Sequence, residues 1–228
     1  ADICTHLDGL PLAIELVAAR IRLLPPRTLR QRLLGATTAS FELLQGGARD
    51  APLRHRTLKD AIAWSYDLLT RAEQRLFRLL AIFVGGCTLD AVEQVYAFVG
   101  EEDSSVLDGL ASLVNKSLVQ QLIQPSGESR FSLLEMIREY SLQQLQANDE
   151  LAAIARAHAE TYASFAETAA LALTGPNHLL WIARLNADHD NCRVALHWAI
   201  SQAQAEISLR LGGALWNYWL DRGFYAEG

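Results

Sequence analysis

Residues 63–69 read Ala-Trp-Ser-Tyr-Asp-Leu-Leu, and residues 130–140 read Arg-Phe-Ser-Leu-Leu-Glu-Met-Ile-Arg-Glu-Tyr. Both segments belong to the stretch from Arg54 to Leu145, whose pattern decides the fold. Its first part predicts four helices, because residues that favour helix N-caps precede runs of apolar residues at helical spacing. The predicted caps are Thr57, Thr70, Thr88 and Ser105, and Glu73 completes a capping box with Thr70.

The hydrophobic period changes after the fourth helix. Leu118 to Ile123 is a short apolar run that predicts a strand. Residues 125–128, Pro-Ser-Gly-Glu, are typical of a turn, and Arg130 to Leu133 is the predicted returning strand. Four helices, a β-hairpin and a last helix predict a winged-helix domain over residues 50–147, with the hairpin as its wing.

Composition limits the classes of function. The chain has 228 residues, 50% of them hydrophobic, and a net charge of −6, which disfavours nonspecific binding to nucleic acids or membrane surfaces. Cys4, Cys87 and Cys192 lie far apart, so neither a disulfide framework nor a zinc site is expected. Reduced thiols of this kind fit the cytoplasm, and the excess of arginine over lysine suggests a bacterial origin. The sequence shows no basic-then-apolar leader.

The segments on either side of residues 50–147 are predicted to be helical, which makes the fold class mainly α. In residues 1–49, Pro11 suits the first turn of a helix whose apolar residues cover most of its surface. Residues 148–228 predict a helix from Leu151 to Leu171, a helix pair, and a helix from Ala205 to Leu220; the pair spans 179–187 and 191–201. Because the chain lacks an initial Met and ends just after a turn, we expect a fragment of a longer protein.

Residues 219–228 carry a second pattern, Trp-x-x-x-Gly-x-Tyr-x-Glu-Gly, which resembles the end of the first helix and the turn of a tetratricopeptide repeat. Residues 148–228 are therefore predicted to be a truncated, tetratricopeptide-like repeat domain. Trp216, Tyr218 and Trp219 could face a ligand, but at this spacing most of them are expected in the core.

The motif order resembles the regulatory half of a STAND-type, NB-ARC-like signalling ATPase of the large bacterial transcriptional regulator type. The resemblance rests on Gly9-Leu10-Pro11-Leu12-Ala13, on the segment around residues 55–69, and on residues 133–140. It implies an upstream P-loop ATPase domain in the same chain, helical repeats downstream, and ATP or ADP as cofactor of the parent protein. It also implies that Gly9, Leu10 and Pro11 contact the nucleotide; alternatively, Pro11 only starts a buried helix.

In that family a Met-His-Asp motif begins the last helix of the winged helix, and its histidine contacts the ADP diphosphate. The matching residues are Leu133, Leu134 and Glu135. Leu134 cannot donate a hydrogen bond, so direct phosphate sensing is not expected there. Glu135 is expected to act as an acid in the first turn of the helix.

A winged helix can also read DNA. That function needs Arg or Lys along the fourth helix and the wing. The helix from Ser104 to Asn115 carries Asp108 and no base, and the hairpin offers only Arg130, near its tip. We therefore predict that this domain does not bind DNA directly. The basic cluster of Arg49, Arg54, His55 and Arg56 precedes the first helix and is expected to contact a neighbouring domain or to cap acidic groups.

No catalytic motif is visible in the chain. It has no Gly-x-x-x-x-Gly-Lys-Ser/Thr loop, so the fragment itself is not expected to be an enzyme. Asp188-His189-Asp190 resembles a metal cluster, but adjacent helical residues diverge, and a solvated helix junction is the interpretation. The preferred hypothesis is a regulatory fragment that couples nucleotide state to a helical sensor domain for an unknown ligand or protein. The alternatives are a DNA-binding winged-helix regulator and a helical scaffold for protein partners.

Overall fold

The computed structural model describes residues 58–100, 105–124 and 127–224, together with Pro25, Arg27 and Thr28. The predicted nucleotide contacts Gly9, Leu10 and Pro11 lie outside the described residues, as do Thr57 and the basic cluster before the first helix.

Eight helices and three short strands make up the described part of the chain, and they confirm the mainly α fold class. In chain order they are α1 (Leu58–Asp67), α2 (Arg71–Leu80), β1 (Cys87–Thr88), α3 (Leu89–Phe98), α4 (Val106–Asn115), β2 (Gln120–Ile123), β3 (Ser129–Ser132), α5 (Glu135–Ala147), α6 (Leu151–Ala172), α7 (His178–Ser201) and α8 (Ala205–Arg222).

Local capping sets the starts of three helices, as the sequence predicts. Thr70 and Glu73 form the capping box reciprocally: the Glu73 N–H donates to Thr70 Oγ1 at 3.3 Å, and the Thr70 N–H donates to Glu73 Oε2 at 2.7 Å. Thr88 and Ser105 accept the equivalent bonds for α3 and α4. These bonds satisfy backbone N–H groups of the first helical turn, which have no carbonyl partner within the helix.

The predicted hairpin is confirmed, and a third strand joins it. The strand order is β1-β3-β2, with both pairs antiparallel and Phe131 opposite Gln121 on one side and Cys87 on the other. Strand β1 has only two residues and is not predicted by the sequence. Gly86 precedes it at φ +88°, and a Cβ there would lie 2.9 Å from the Phe131 carbonyl oxygen. Only glycine allows the connection to approach β3 this closely.

The winged helix packs around α2, which contacts α4 and α5. Phe77, Leu110, Leu113 and Met136 are fully buried among these helices. Gly109 in α4 faces Leu76 of α2, and a Cβ on it would lie 2.6 Å from Leu76 Cδ2, so the two helices lie close together at that point.

Helices α6, α7 and α8 form a bundle in which α6 contacts both other helices. One face of α6 is lined by small buried residues, which allow close approach: Ala155, Ala159, Ala163, Ala166 and Ala169. Helix α6 also packs against α3, so the bundle and the winged helix share one continuous hydrophobic core.

The predicted helix pair at 179–187 and 191–201 is wrong, because α7 runs without a break from His178 to Ser201. The residues interpreted as a solvated junction lie in its middle. Asp188 and Asn191 are buried there against the winged helix, so their polarity marks an interface and does not end the helix.

Candidate functional site

A buried ion pair joins the wing to the helical bundle. Arg130 on β3 donates from Nη1 to Asp188 Oδ2 at 2.8 Å and from Nη2 to Asp188 Oδ1 at 2.9 Å. Both side chains are almost fully buried, at 5% and 7% exposure. Arg130 Nη2 also approaches the carbonyl oxygens of Gly86 at 2.9 Å and Ala187 at 3.2 Å. The bidentate geometry fixes the direction from which the wing meets α7.

Three further side chains complete this junction. Tyr162 Oη of α6 donates to Asp188 Oδ1 at 2.9 Å. Asn191 Nδ2 donates to Asp188 Oδ1 at 3.1 Å and to the Gly86 carbonyl at 2.9 Å, while Asn191 Oδ1 accepts from the Val84 N–H at 2.8 Å. A buried charge pair is tolerated only when such partners satisfy its remaining hydrogen-bonding capacity.

His158 of α6 extends the network. Its Nε2 lies 3.5 Å from Asn191 Oδ1. Because Oδ1 already accepts from Val84 and the amide nitrogen donates twice, Asn191 can only act as an acceptor toward the ring. The contact therefore places the hydrogen on Nε2 and leaves Nδ1 as the acceptor nitrogen.

Burial determines the charge states in the junction. Desolvation lowers the pKa of His158 to about 4, although the hydrogen bond to Asn191 opposes it, so the ring is neutral at neutral pH. Desolvation and the charge of Asp188 hold the pKa of Tyr162 well above its usual range, so its hydroxyl keeps the proton it donates. Burial is the largest single influence on Arg130 and lowers its pKa, but the hydrogen bonds to Asp188 together with the charge of Asp188 and its neighbours raise the pKa of the guanidinium above its ordinary value.

Two more ion pairs connect the winged helix to the bundle. Glu128, at the start of the returning wing segment, accepts from Arg184 Nη2 of α7 at 3.1 Å. The Arg184 guanidinium also lies 5.1 Å from the centre of the Trp181 ring. Arg78 of α2 makes a bidentate pair with Glu150 at 2.7 Å for both bonds, just before α6 begins. The wing and the body of the winged helix are thus each tied to the bundle.

The sequence places one of the two residues of the buried ion pair correctly and the other wrongly. Arg130 lies near the tip of the hairpin, as predicted, opposite Leu122, although its side chain is buried and paired with Asp188. Asp188 was expected in solvent, and it accepts four hydrogen bonds in the core. The sequence does contain a signal for this buried polar cluster. His158 and Tyr162 are one turn apart on α6, and Asp188 and Asn191 are one turn apart on α7, so each pair lies on one face of its helix.

The expected divergence of residues 188–190 agrees with the structure. Asp190 is exposed and lies 3.7 Å from Arg193. His189 stacks against Phe224 at 4.5 Å and accepts a hydrogen bond from Trp219 at 3.2 Å. Within the described ranges, no cluster of His, Cys, Asp and Glu could hold a metal ion. As expected, most of the aromatic residues in α8 are core: Tyr218 and Trp219 are buried, and Trp216 is 48% exposed.

The exposed surface of α4 and of the wing strand β2 carries apolar, acidic and neutral polar residues. Exposed residues of α4 include Leu107, Asp108 and Ala111, and the wing exposes Leu122 and Ile123. The sequence from residue 106 to residue 132 contains two basic residues, Lys116 and Arg130. Lys116 pairs with the capping glutamate Glu73, and Arg130 is buried in its pair with Asp188, so each of the two cations already has a carboxylate partner.

The residues at the Met-His-Asp-like position lie where the last helix of the winged helix begins. Leu133 and Leu134 are half-buried, and Leu134 is the N-cap of α5 but makes no capping hydrogen bond with its side chain. Glu135 is an acid in the first turn and lies 3.6 Å from Arg138. Leu133 and Glu135 border a cleft of about 180 Å³, whose other wall includes Gly85 and Gly86.

Comparison with known proteins agrees with this architecture. Residues 69–146 match the family model of the winged helix-turn-helix domain. This part of the chain is therefore similar to winged helix-turn-helix domains. All 228 residues are similar, at 40% identity, to proteins of Mycobacterium tuberculosis and Mycobacterium bovis that carry the name "putative HTH-type transcriptional regulator". An uncharacterized protein of Mycobacterium tuberculosis is 36% identical over 156 residues, which are 67% of this chain and 38% of that protein.

The chain spans 25% of the length of the named regulators that it matches. Among the described helices, none has the length and apolar character needed to cross a membrane.

Proposed function

We propose that this chain is a regulatory module of a bacterial transcriptional regulator that acts in the cytoplasm, and that its winged helix contacts another protein domain. The winged helix-turn-helix domain and the names of the similar mycobacterial proteins support a role in transcription regulation. The helical bundle would act as the sensor of a ligand or partner.

The observation that carries the proposal is the electrostatic character of α4 and the wing. A winged helix that binds DNA places α4 in the major groove and needs cations along it for phosphate contacts. Here Lys116 and Arg130 are both held in ion pairs, and Asp108 is the charged residue of α4. The exposed Leu107, Leu122 and Ile123 suit burial against another protein surface.

We infer that the partner of the winged helix is a nucleotide-binding domain of the same parent protein. The motifs that resemble STAND-type ATPases favour an upstream P-loop domain that binds ATP or ADP as the surface contacted by the winged helix. The junction supports a coupling role, because the pairs from Arg130, Arg184 and Arg78 would make the winged helix and the bundle move together. A change at the bundle would then reach the contacted domain through the wing.

Direct DNA binding is the second candidate, favoured by the winged helix-turn-helix match and by the names of the relatives. Fluorescence anisotropy with a labelled duplex, at low and at physiological salt, separates the two functions. The proposal expects no saturable binding at micromolar protein concentration and physiological salt. Submicromolar binding that weakens steeply with salt would favour the DNA-binding function, because such a slope reports phosphate contacts.

The protein contact has its own test with matched variants. The parent protein's P-loop domain would be titrated with this chain in the presence of ADP and then of ATP. Leu107→Arg is expected to weaken the complex at least tenfold, because it places an unpaired charge in the interface. Leu209→Arg is the control, since Leu209 is exposed even more than Leu107, at 75% against 53%, but lies on α8. Equal affinity of wild type and Leu107→Arg would contradict an interface at α4.

A further inference from the structure

The bundle contains an open cavity that the junction network does not fill. Its volume is about 490 Å³, and it lies between the first half of α6 and the last half of α7, beside Ile82 of the winged helix. Most of its walls are apolar side chains, among them Leu151, Val194 and Trp198, which are only partly buried. Cavities of this size at the boundary between two folded parts are typical of small-molecule sites.

The cavity has one deeply buried polar group. His158 lines it at 1% exposure, whereas the amides of Gln146 and Gln202 and the carboxylate of Asp149 are exposed. The hydrogen on Nε2 is committed to Asn191, so the ring offers an acceptor nitrogen, Nδ1. The rings of Phe83 and Tyr162 pack against His158 at 5.2 Å and 4.6 Å and hold its orientation.

These features define the chemistry of a ligand. The partly buried Trp198 and its aliphatic neighbours favour a flat apolar body. A neutral acceptor in an apolar site selects a molecule that donates one hydrogen bond, because a molecule without the donor would leave His158 unpaired.

We propose that this cavity binds a small aromatic molecule with one hydrogen-bond donor, such as a phenol, whose hydroxyl donates to His158. Binding is passed through Asn191 to the connection between α2 and α3, because Asn191 contacts His158, the Val84 N–H and the Gly86 carbonyl. The Gly86 carbonyl also accepts a hydrogen bond from Arg130, which carries the effect to the wing. The cavity and its ligand class do not depend on the proposed function. Describing the ligand as an effector of regulation does rest on it.

The test uses p-cresol and 4-methylanisole, which share a ring but differ in the donor. Each is titrated into the 228-residue chain, and amide NMR signals are followed. The proposal expects p-cresol to shift the signals of Ala155 and Trp198 with about fivefold higher affinity than 4-methylanisole, the effect of one net hydrogen bond. Val84 and Gly86 are expected to shift in the same titration.

Two surface variants provide the matched control. Ala152→Phe places a large side chain in the cavity from an exposed position, and Ala153→Phe adds the same side chain at an exposed neighbour that does not line it. Loss of p-cresol binding in Ala152→Phe but not in Ala153→Phe supports the site. Equal binding in both variants, no binding of p-cresol at millimolar concentration, or equal affinity for the two probes would overturn it.

The link to the wing has a separate outcome. Cavity shifts without shifts at Val84 and Gly86 would refute the relay through Asn191. DNA binding by the chain would contradict the proposed function and leave the cavity result unchanged, so the two failures are distinguishable.

Discussion

The substitution Asp188→Asn tests the role of the junction most directly. The amide keeps the shape of the carboxylate but removes its charge, which leaves the Arg130 guanidinium buried without a counter-ion. It also cannot accept all four hydrogen bonds that Arg130, Tyr162 and Asn191 donate to Asp188. Removing one partner of a buried pair costs about 3–5 kcal/mol, because the remaining charge keeps its desolvation penalty.

Asp190→Asn is the control for this measurement. It makes the same chemical change two residues along α7, but Asp190 is 61% exposed and its Arg193 partner is 3.7 Å away. A surface pair of this kind contributes little, so we expect a change within about 0.5 kcal/mol. Urea unfolding followed by circular dichroism gives the free energy of unfolding of both variants.

A further readout distinguishes a junction from an ordinary core contact. Arg130 lies on the wing and Asp188 on the bundle, so losing the pair should weaken the cooperativity between the two parts. We expect thermal unfolding of Asp188→Asn to broaden or to split into two transitions. A loss below about 1 kcal/mol with a single sharp transition would refute the structural importance of the pair.

Two further predictions concern the winged helix. Burial raises the pKa of Glu139 to about 7, and its Oε2 has no hydrogen-bond partner in the folded protein. Between the ordinary pKa of a glutamate and about pH 7, the folded state therefore keeps a proton that the unfolded chain has lost. The free energy of unfolding of the wild type should therefore fall as pH rises from about 4.5 to 7. At pH 8, Glu139→Gln should be more stable than wild type by roughly 1–3 kcal/mol. A stability difference between variant and wild type that stays constant across this pH range would contradict the reasoning. His158 has the opposite effect, because its lowered pKa costs stability as pH falls. This effect is present in both proteins, so it cancels when the stability of the wild type is subtracted from that of the variant. In the same urea assay, Gly86→Ala should destabilise the fold by about 1–3 kcal/mol more than Gly85→Ala. Both glycines have a positive φ, but only a Cβ at Gly86 would meet the Phe131 carbonyl oxygen. Equal losses of stability in the two variants would show that backbone conformation alone accounts for the effect.

The winged helix was predictable because its signals are local. Thr70 with Glu73, the cap at Thr88 and the change of period at Leu118 are each visible within a few residues. Strand β1 was missed because two residues carry no period, and Cys87 is a strand residue only through its pairing with Phe131, far along the chain.

The candidate site was largely hidden from the sequence. The charges of Arg130 and Asp188 favour solvent until each meets a partner 58 residues away, and no local pattern specifies such a partner. The same polarity in residues 186–191 produced the mistaken break in α7. The predicted nucleotide contacts Gly9, Leu10 and Pro11 lie outside the described residues and stay predictions.

The connection between α2 and α3 has an unusual consequence for the evolution of this chain. Its Gly86 carbonyl receives bonds from both Arg130 and Asn191, and its Val84 amide is bound by Asn191. Surface loops generally accept inserted residues, because few contacts depend on their length. One extra residue here would displace the Val84 N–H or the Gly86 carbonyl, and hydrogen bonds to Asn191 and Arg130 would be lost. We therefore expect this loop to keep its length in functional variants, although its position between two helices would suggest freedom to vary.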